Sequence, residues 1–350
     1  LSASQGAWQY STDAGGNWHD IDTIAYPQSL ALDAATRVRF LPAADFNGWP
    51  DGLSLRALDD SYTGGYTSGA VRVTADASSP GGGSPISASL ESLSTSVVAI
   101  NDAPVISFVS GNTVLAENAG ALIVAPVATV SDVDGAALTG GQLHVYFAEN
   151  GQAEDRIAIR NQGGGAGQIG VSGADVSFEG VVIGSWTGGT DGLTPLVVTF
   201  NSSATTVAVQ ALARNITYQN VSESPSTAVR TMAGYLTDGA GGSSNIVSGT
   251  LSITPVNDAP TLSSSSALPA INEDDVSNSG FLVSLLANGA NDVDAGALKG
   301  LAVTSVDDSH GTWQYTLDGT TWQDIGAVSQ TSARLLPSDA VARIRFVPAA

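Results

Sequence analysis

The chain has 350 residues, 33 of them acidic and 12 basic, for a formal net charge of −21. That acidity excludes electrostatic docking on nucleic acid or on an anionic membrane surface, because like charge repels both. Zero cysteines exclude disulfides and thiolate chemistry, and no apolar run approaches the roughly 18 residues of a membrane helix.

In chain order the predicted elements are almost all strands. Gly6-Ala7-Trp8-Gln9-Tyr10 opens the first, a turn at 13–17 (DAGGN) follows, and alternating runs come at 36–41 and 53–58. A loop at 79–85 (SPGGGSP) lies inside the first unit, and a strand over 88–100 closes it. Further strands are read at 142–148, 180–186, 195–200, 228–236 and 246–254, rich in valine, threonine, isoleucine and aromatics. Between them, 205–213 (TTVAVQALA) reads as a helical turn or two with Val207, Ala211 and Leu212 on one side. The glycine cluster 163–167 lacks a phosphate-loop lysine and reads as a loop. His19, His144 and His310 are scattered singly and support no catalytic constellation, so the chain reads as non-enzymatic.

Internal repeats set the organisation. The motif from Gly6 to Asp13, with Trp18, Asp20, Ile21 and the run Arg37-Val38-Arg39-Phe40, returns as Gly311 to Asp318, with Trp322, Asp324, Ile325 and Arg343-Ile344-Arg345-Phe346. The linker Ile100-Asn101-Asp102-Ala103-Pro104 returns as Val256-Asn257-Asp258-Ala259-Pro260. These two rulers divide the chain into 1–101, the back of one module, 102–257, a complete module of another type, and 258–350, the front of a module of the first type. The sequence reads as a window on a longer protein. The paired tryptophans Trp8, Trp18, Trp313 and Trp322, and Trp186, are expected to pack rather than to face solvent.

The acids fall at positions that a sandwich places in polar loops. Asp132-Val133-Asp134 lies 30 residues after Asp102, and Asp292-Val293-Asp294 lies 34 after Asp258. Glu117 and Glu273 stand about 15 residues after their linkers, and Asp238-Gly239 ends a strand run. An Asp-Gly turn by itself caps backbone amides without metal. Two Asp-x-Asp loops beside two Asn-Asp linkers instead offer the several oxygens that a hard cation such as Ca²⁺ requires.

This pattern resembles bacterial cadherin-like and Ig-like tandem repeats of giant RTX-type surface adhesins. The resemblance implies an all-β chain of seven-stranded Greek-key β-sandwiches arranged end to end, with Ca²⁺ at the joints. Position by position it implies Asn101, Asp102, Asp132, Asp134 and Asp238 at the first joint, with Asp45, from Asp45-Phe46-Asn47-Gly48, reaching it from the preceding module. At the second it implies Glu117, Glu223, Asn257, Asp258, Asp292 and Asp294. The implied function is a calcium-stiffened stalk on a bacterial cell surface, outside the cell, whose partners are neighbouring modules of the same chain. Alternatives are a module that binds glycans or like modules, and a filament or surface-layer subunit assembled by strand complementation.

Overall fold

The computed structural model describes residues 3–108, 111–135, 137–263 and 267–349. The repeated tryptophan motif folds the same way twice. Strand Gly6–Ser11 pairs antiparallel with Arg37–Pro42, setting Trp8 opposite Phe40 and Tyr10 opposite Val38. Strand Gly311–Thr316 pairs with Arg343–Pro348 in the same register, Trp313 opposite Phe346 and Tyr315 opposite Ile344. Each pair carries a two-residue strand on one edge, His19–Asp20 in the first and Gln323–Asp324 in the second. The second pair also takes Phe281–Leu282 on its other edge.

The glycine that opens each motif has a steric reason. A Cβ on Gly6 would lie 2.3 Å from the Leu41 carbonyl oxygen and 2.9 Å from the tip of the Phe40 ring. On Gly311 it would lie 2.3 Å from the Val347 oxygen and 2.5 Å from the Phe346 ring. Only glycine lets the ring close over the backbone there. The turns at 13–17 and 318–321 are held by aspartate in the ordinary way. Asp13 accepts from the Asn17 amide at 2.9 Å and from Ser11 Oγ at 2.7 Å. Asp318 accepts from the amides of Thr320 and Thr321 at 2.8 and 2.6 Å. Asn17 backbone and side-chain donors, with Ser11, hold the Asp13 carboxyl well below the usual range.

Trp8, Trp18 and Trp322 are covered, by two means, while Trp313 is half-buried and Trp49 is 75 % exposed. Trp8 is 4 % exposed and packs with Tyr10 and Ile21. Trp18 and Trp322 are half-buried, and each carries a guanidinium over its ring, Arg39 and Arg345 respectively, at 4.1 Å. Gln9 and Gln314 fix those arginines by hydrogen bonds and are themselves tied to Asp20 and Asp324. Trp186 donates its indole N–H to the Gly173 carbonyl at 3.1 Å.

Between the two motifs lies a large sandwich. Its main sheet has eight strands in the order Ile169–Ser172, Asp175–Phe178, Val181–Thr187, Leu196–Phe200, Gln142–Glu149, Arg230–Leu236, Val247–Thr254, Asn112–Ala116. Every neighbouring pair is antiparallel except the last, Val247–Thr254 with Asn112–Ala116, which is parallel. A second sheet of Leu122–Ile123, Ile216–Asn220 and Asp155–Ile159, with the pair Thr129–Ser131 and Val105–Ser107, covers one face. Leu143, Val145, Val198, Met232 and Leu236 from the first sheet and Ile157, Ile216 and Tyr218 from the second share one core. The chain is all-β as expected, but this sandwich exceeds the seven strands anticipated, the hairpin strands 169–187 being additions to one edge.

Two expectations are corrected. Helix Thr206–Ala213 forms, yet its buried face is Ala208, Val209, Leu212 and Ala213, while Val207 is 62 % exposed. Thr205 caps the first turn through its hydroxyl, bonded to the Ala208 amide at 3.2 Å, and the helix turns Ala208, Val209, Leu212 and Ala213 into the central core. The strand expected over 88–100 is reduced to Glu91–Leu93 and a single bridge from Val97 to Gly48.

Arg230 and Asp155 form an ion pair at 2.8 Å in which both side chains are fully buried. Tyr218 Oη and Asn220 Nδ2 donate to Asp155 at 2.7 Å each, and the Gln152 amide donates at 2.8 Å. Burial first, then the bond to Asp155, pushes the Tyr218 hydroxyl far above its ordinary value. The cluster ties the short covering sheet to the main one. Arg230→Met strands a buried carboxylate, so urea unfolding followed by Trp186 fluorescence is expected to show a loss of about 3–5 kcal/mol. A loss below about 1 kcal/mol contradicts this role.

Candidate metal centre

The two Asn-Asp linkers have the same local structure. The Asp132 carboxylate accepts from the Asp134 amide at 2.9 Å, and the Asp292 carboxylate accepts from the Asp294 amide at 3.0 Å. Each of these Asx turns aims its second aspartate back at the linker. Asp134 accepts from the Asp102 amide, and Asp294 accepts from the Asp258 amide at 2.8 Å. Asn101 and Asn257 donate from Nδ2 to the carbonyls of Asp102 and Asp258, at 3.2 and 2.8 Å. Strand pairing explains the long spacing in sequence. Val105 is opposite Ser131, and Thr261 is opposite Asn291, so each Asp-x-Asp loop returns to the linker that precedes it.

The joints differ in what meets this shared frame. At the first, Asp238 is 6 % exposed and lies in the turn after strand Arg230–Leu236. One oxygen accepts from the amides of Ala240, Gly241 and Gly242 at 2.7–3.0 Å, and the other from Asn101 Nδ2 at 2.8 Å. Burial pushes this carboxyl up, but the bonds from Asn101 and the three amides outweigh it and hold the pKa below the ordinary value. Asp102, Asp134 and Asn101 are exposed and Asp132 is half-buried. Asp45 is exposed in a left-handed turn, φ 61°, and its carboxylate has no hydrogen-bonding partner among the described residues.

At the second joint, carboxylates face carboxylates. Oxygens of Glu117, Glu223 and Asp258 lie within 4.8 Å of one another. Glu117 comes directly after strand Asn112–Ala116, whose parallel partner Val247–Thr254 leads into the linker. The Glu117 amide donates to the Thr254 carbonyl at 2.9 Å, and its Oε2 accepts from the Val256 amide at 2.9 Å. Its other oxygen is buried without a partner among the described residues, as is Oδ2 of Asp258. Glu223 is exposed and held by Asn118 Nδ2 at 2.8 Å, Asn118 itself being in a left-handed turn, φ 60°. Burial first, then the negative charges of Glu223, Asp294, Glu117 and Asp292, push the Asp258 carboxyl above its ordinary value. Glu273 is exposed in an acidic loop, 271–275, apart from these contacts.

An all-oxygen set with two buried, unpartnered carboxylate oxygens fits a hard divalent cation and no soft one. Without a cation, carboxylates gathered this closely repel one another. The residues that sequence reasoning missed are Asn118, which positions Glu223, and Val256, whose amide orients Glu117. Neither carries a charge, so only the folded register shows their part.

No protein-family description matches the chain, and no curated protein matches it. Among solved structures it is similar to the EC3-6 cis-dimer structure of protocadherin gammaB7, with 13 % identity, a TM-score of 0.27, and 89 % of this chain and 70 % of that one covered. It is also similar to the human desmocollin-1 ectodomain, with 12 % identity and a TM-score of 0.26, covering 89 % of this chain and 55 % of that one.

The two linker environments respond to pH with opposite sign. Asp238 has a depressed folded pKa, so its contribution is present above 3.8 and is lost as pH falls through that lower folded value. Asp258 has a raised one, so its contribution is present below 3.8 and is lost as pH rises through the folded value. In chelator, Asp258→Asn is therefore expected to raise the melting temperature at pH 7 and to change it little at pH 3.5. An equal change at both pH values contradicts the crowding. Gly242→Ala places a Cβ 2.2 Å from Asp238 Oδ2 and 2.9 Å from Ala103 Cα. It is expected to speed amide exchange at 240–242, and unchanged exchange there contradicts the assigned wrap.

Proposed function

We propose that this chain is a stretch of extracellular stalk modules of a bacterial surface adhesin, non-enzymatic, with Ca²⁺ held at the joint between residues 102–257 and 258–350. The observation that carries this reading is the set Glu117, Glu223 and Asp258, with two buried oxygens that no donor among the described residues meets. Glu117 and Glu223 belong to the central module and Asp258 to the linker, so anything that bonds all three ties the two modules together. Asp292 and Asp294 add negative charge from the far side of that linker. A bound Ca²⁺ neutralises this charge and supplies the missing partner to both orphaned oxygens.

The residues then act as a clamp. Val256 and Asn118 hold the two glutamates in place, and the Asp294–Asp258 bond fixes the linker from the other module. The first joint shares the same Asn-Asp and Asp-x-Asp frame, with Asn101, Asp102, Asp132 and Asp134, and is pinned through Asp238. The division at 101/102 and 257/258 belongs to this proposal, as do neighbouring modules of the same chain as the partners. The glycan-binding alternative needs open aromatic faces: Trp18 and Trp322 already carry guanidinium groups, whereas Trp49 is 75 % exposed.

Extracellular calcium at about tenfold over a weak site's Kd adds about 1.4 kcal/mol of stability. Calcium is accordingly expected to raise the melting temperature, and titration calorimetry to show saturable binding. Glu117→Gln, which retains volume and loses charge, weakens that binding about tenfold or more, if one carboxylate contributes about 1.4 kcal/mol. Melting that ignores calcium, or binding indifferent to Glu117, overturns the proposal.

A further inference from the structure

The eight-stranded main sheet of the central module ends in two edge strands, Ile169–Ser172 and Asn112–Ala116. An edge strand turns the amide and carbonyl of every second residue outward, where another chain can pair with them. The two edges treat those groups differently.

At Ile169–Ser172 the chain that crosses over from the covering sheet, 160–163, runs back along the edge. Asn161 lays its carboxamide on Val171: Oδ1 accepts the Val171 amide and Nδ2 donates to the Val171 carbonyl, both at 3.2 Å. Gln162 Oε1 accepts the Ile169 amide at 3.2 Å, and the Gln162 amide donates to the Ile169 carbonyl at 2.7 Å. Both backbone groups of Ile169 and of Val171 are thus met, mostly by carboxamides, which carry the same donor and acceptor as a peptide bond. Gly170 permits the approach, because a Cβ there would lie 2.9 Å from the Gly163 carbonyl oxygen.

The edge at Asn112–Ala116 has no such cover. The Thr250 amide donates to the Gly111 carbonyl at 3.3 Å and the Glu117 amide to the Thr254 carbonyl at 2.9 Å, so the odd-numbered residues face the partner strand. Asn112 and Val114 turn their backbone groups the other way, with no backbone partner there among the described residues, and Val114 is 60 % exposed.

We infer that Asn161 and Gln162 close one end of this sheet against strand addition by a second copy of the chain. A sheet open at both ends can pair head to tail with the opposite edge of the next copy, and such heterologous contacts do not close. A sheet open at one end pairs only with a like edge and stops at two copies. The two carboxamides therefore separate a molecule that stays discrete from one that grows into a filament.

Both side chains are exposed, so replacing them leaves the core intact. The full chain carrying Asn161→Ala and Gln162→Ala is compared with the unaltered chain by sedimentation velocity, in salt that screens the net charge of −21. The variant is expected to form species larger than dimers that grow with concentration. When dilute, its Ile169 and Val171 amides are expected to exchange about tenfold faster or more. Adding Val171→Pro removes an outward N–H and is expected to stop the growth. If the double variant loses its melting transition, Asn161→Ala alone, which keeps both Gln162 bonds, is expected to show the same growth at higher concentration. A variant that sediments as the unaltered chain does up to roughly 0.5 mM overturns the inference, even where its exchange is faster. Growth that Val171→Pro leaves unchanged places the contact elsewhere and overturns it too.

Discussion

A carboxylate oxygen removed from water must find a donor or a cation, and at the second linker two of them find no donor among the described residues. Glu117 and Asp258 each hide one oxygen, and Glu223 brings a third carboxylate to within 4.8 Å. Charge of one sign gathered in this way opposes folding unless it is neutralised. The backbone nevertheless enforces the gathering. Glu117 is anchored through its backbone, by its amide on the Thr254 carbonyl, and through its side chain, by the Val256 amide on Oε2. Asp258 is anchored through Asp294. These bonds hold three carboxylates together, the arrangement on which the proposed calcium site rests.

The central sandwich is what makes the anchor rigid. The parallel pairing of Asn112–Ala116 with Val247–Thr254 delivers Glu117 and the start of the linker to one place from opposite ends of a module. The buried Arg230–Asp155 pair, bridged by Tyr218 and Asn220, locks the covering sheet onto the main one. The first linker shows the other solution to the same problem. There Asp238 has its oxygens met by three amides and an asparagine, so the turn closes on neutral donors. One sequence motif therefore serves two electrostatic environments, set by what the adjoining loops contribute.

Much of this was legible in the residues. Alternation and turn chemistry gave the strands, and the duplicated Trp-Gln-Tyr and Arg-Phe runs reappear as the same register at both ends. The Asp-x-Asp loops were readable because strand pairing converts a gap of some thirty residues into proximity. Other features were not readable, for definite reasons. Helix phase depended on tertiary packing, which turns Val209 and not Val207 into the central core. The added edge strands 169–187 lengthen the sheet without altering its period. Asn118 contributes through its carboxamide and Val256 through its backbone amide, so no charge marks either in the sequence.

The central claim is that Glu117, Glu223 and Asp258 share a calcium ion. Anomalous diffraction from crystals grown in millimolar calcium addresses it most directly. The account predicts a peak bounded by oxygens of those three side chains at about 2.3–2.6 Å. An absence of density there, with the three carboxylates turned apart into solvent, would contradict it.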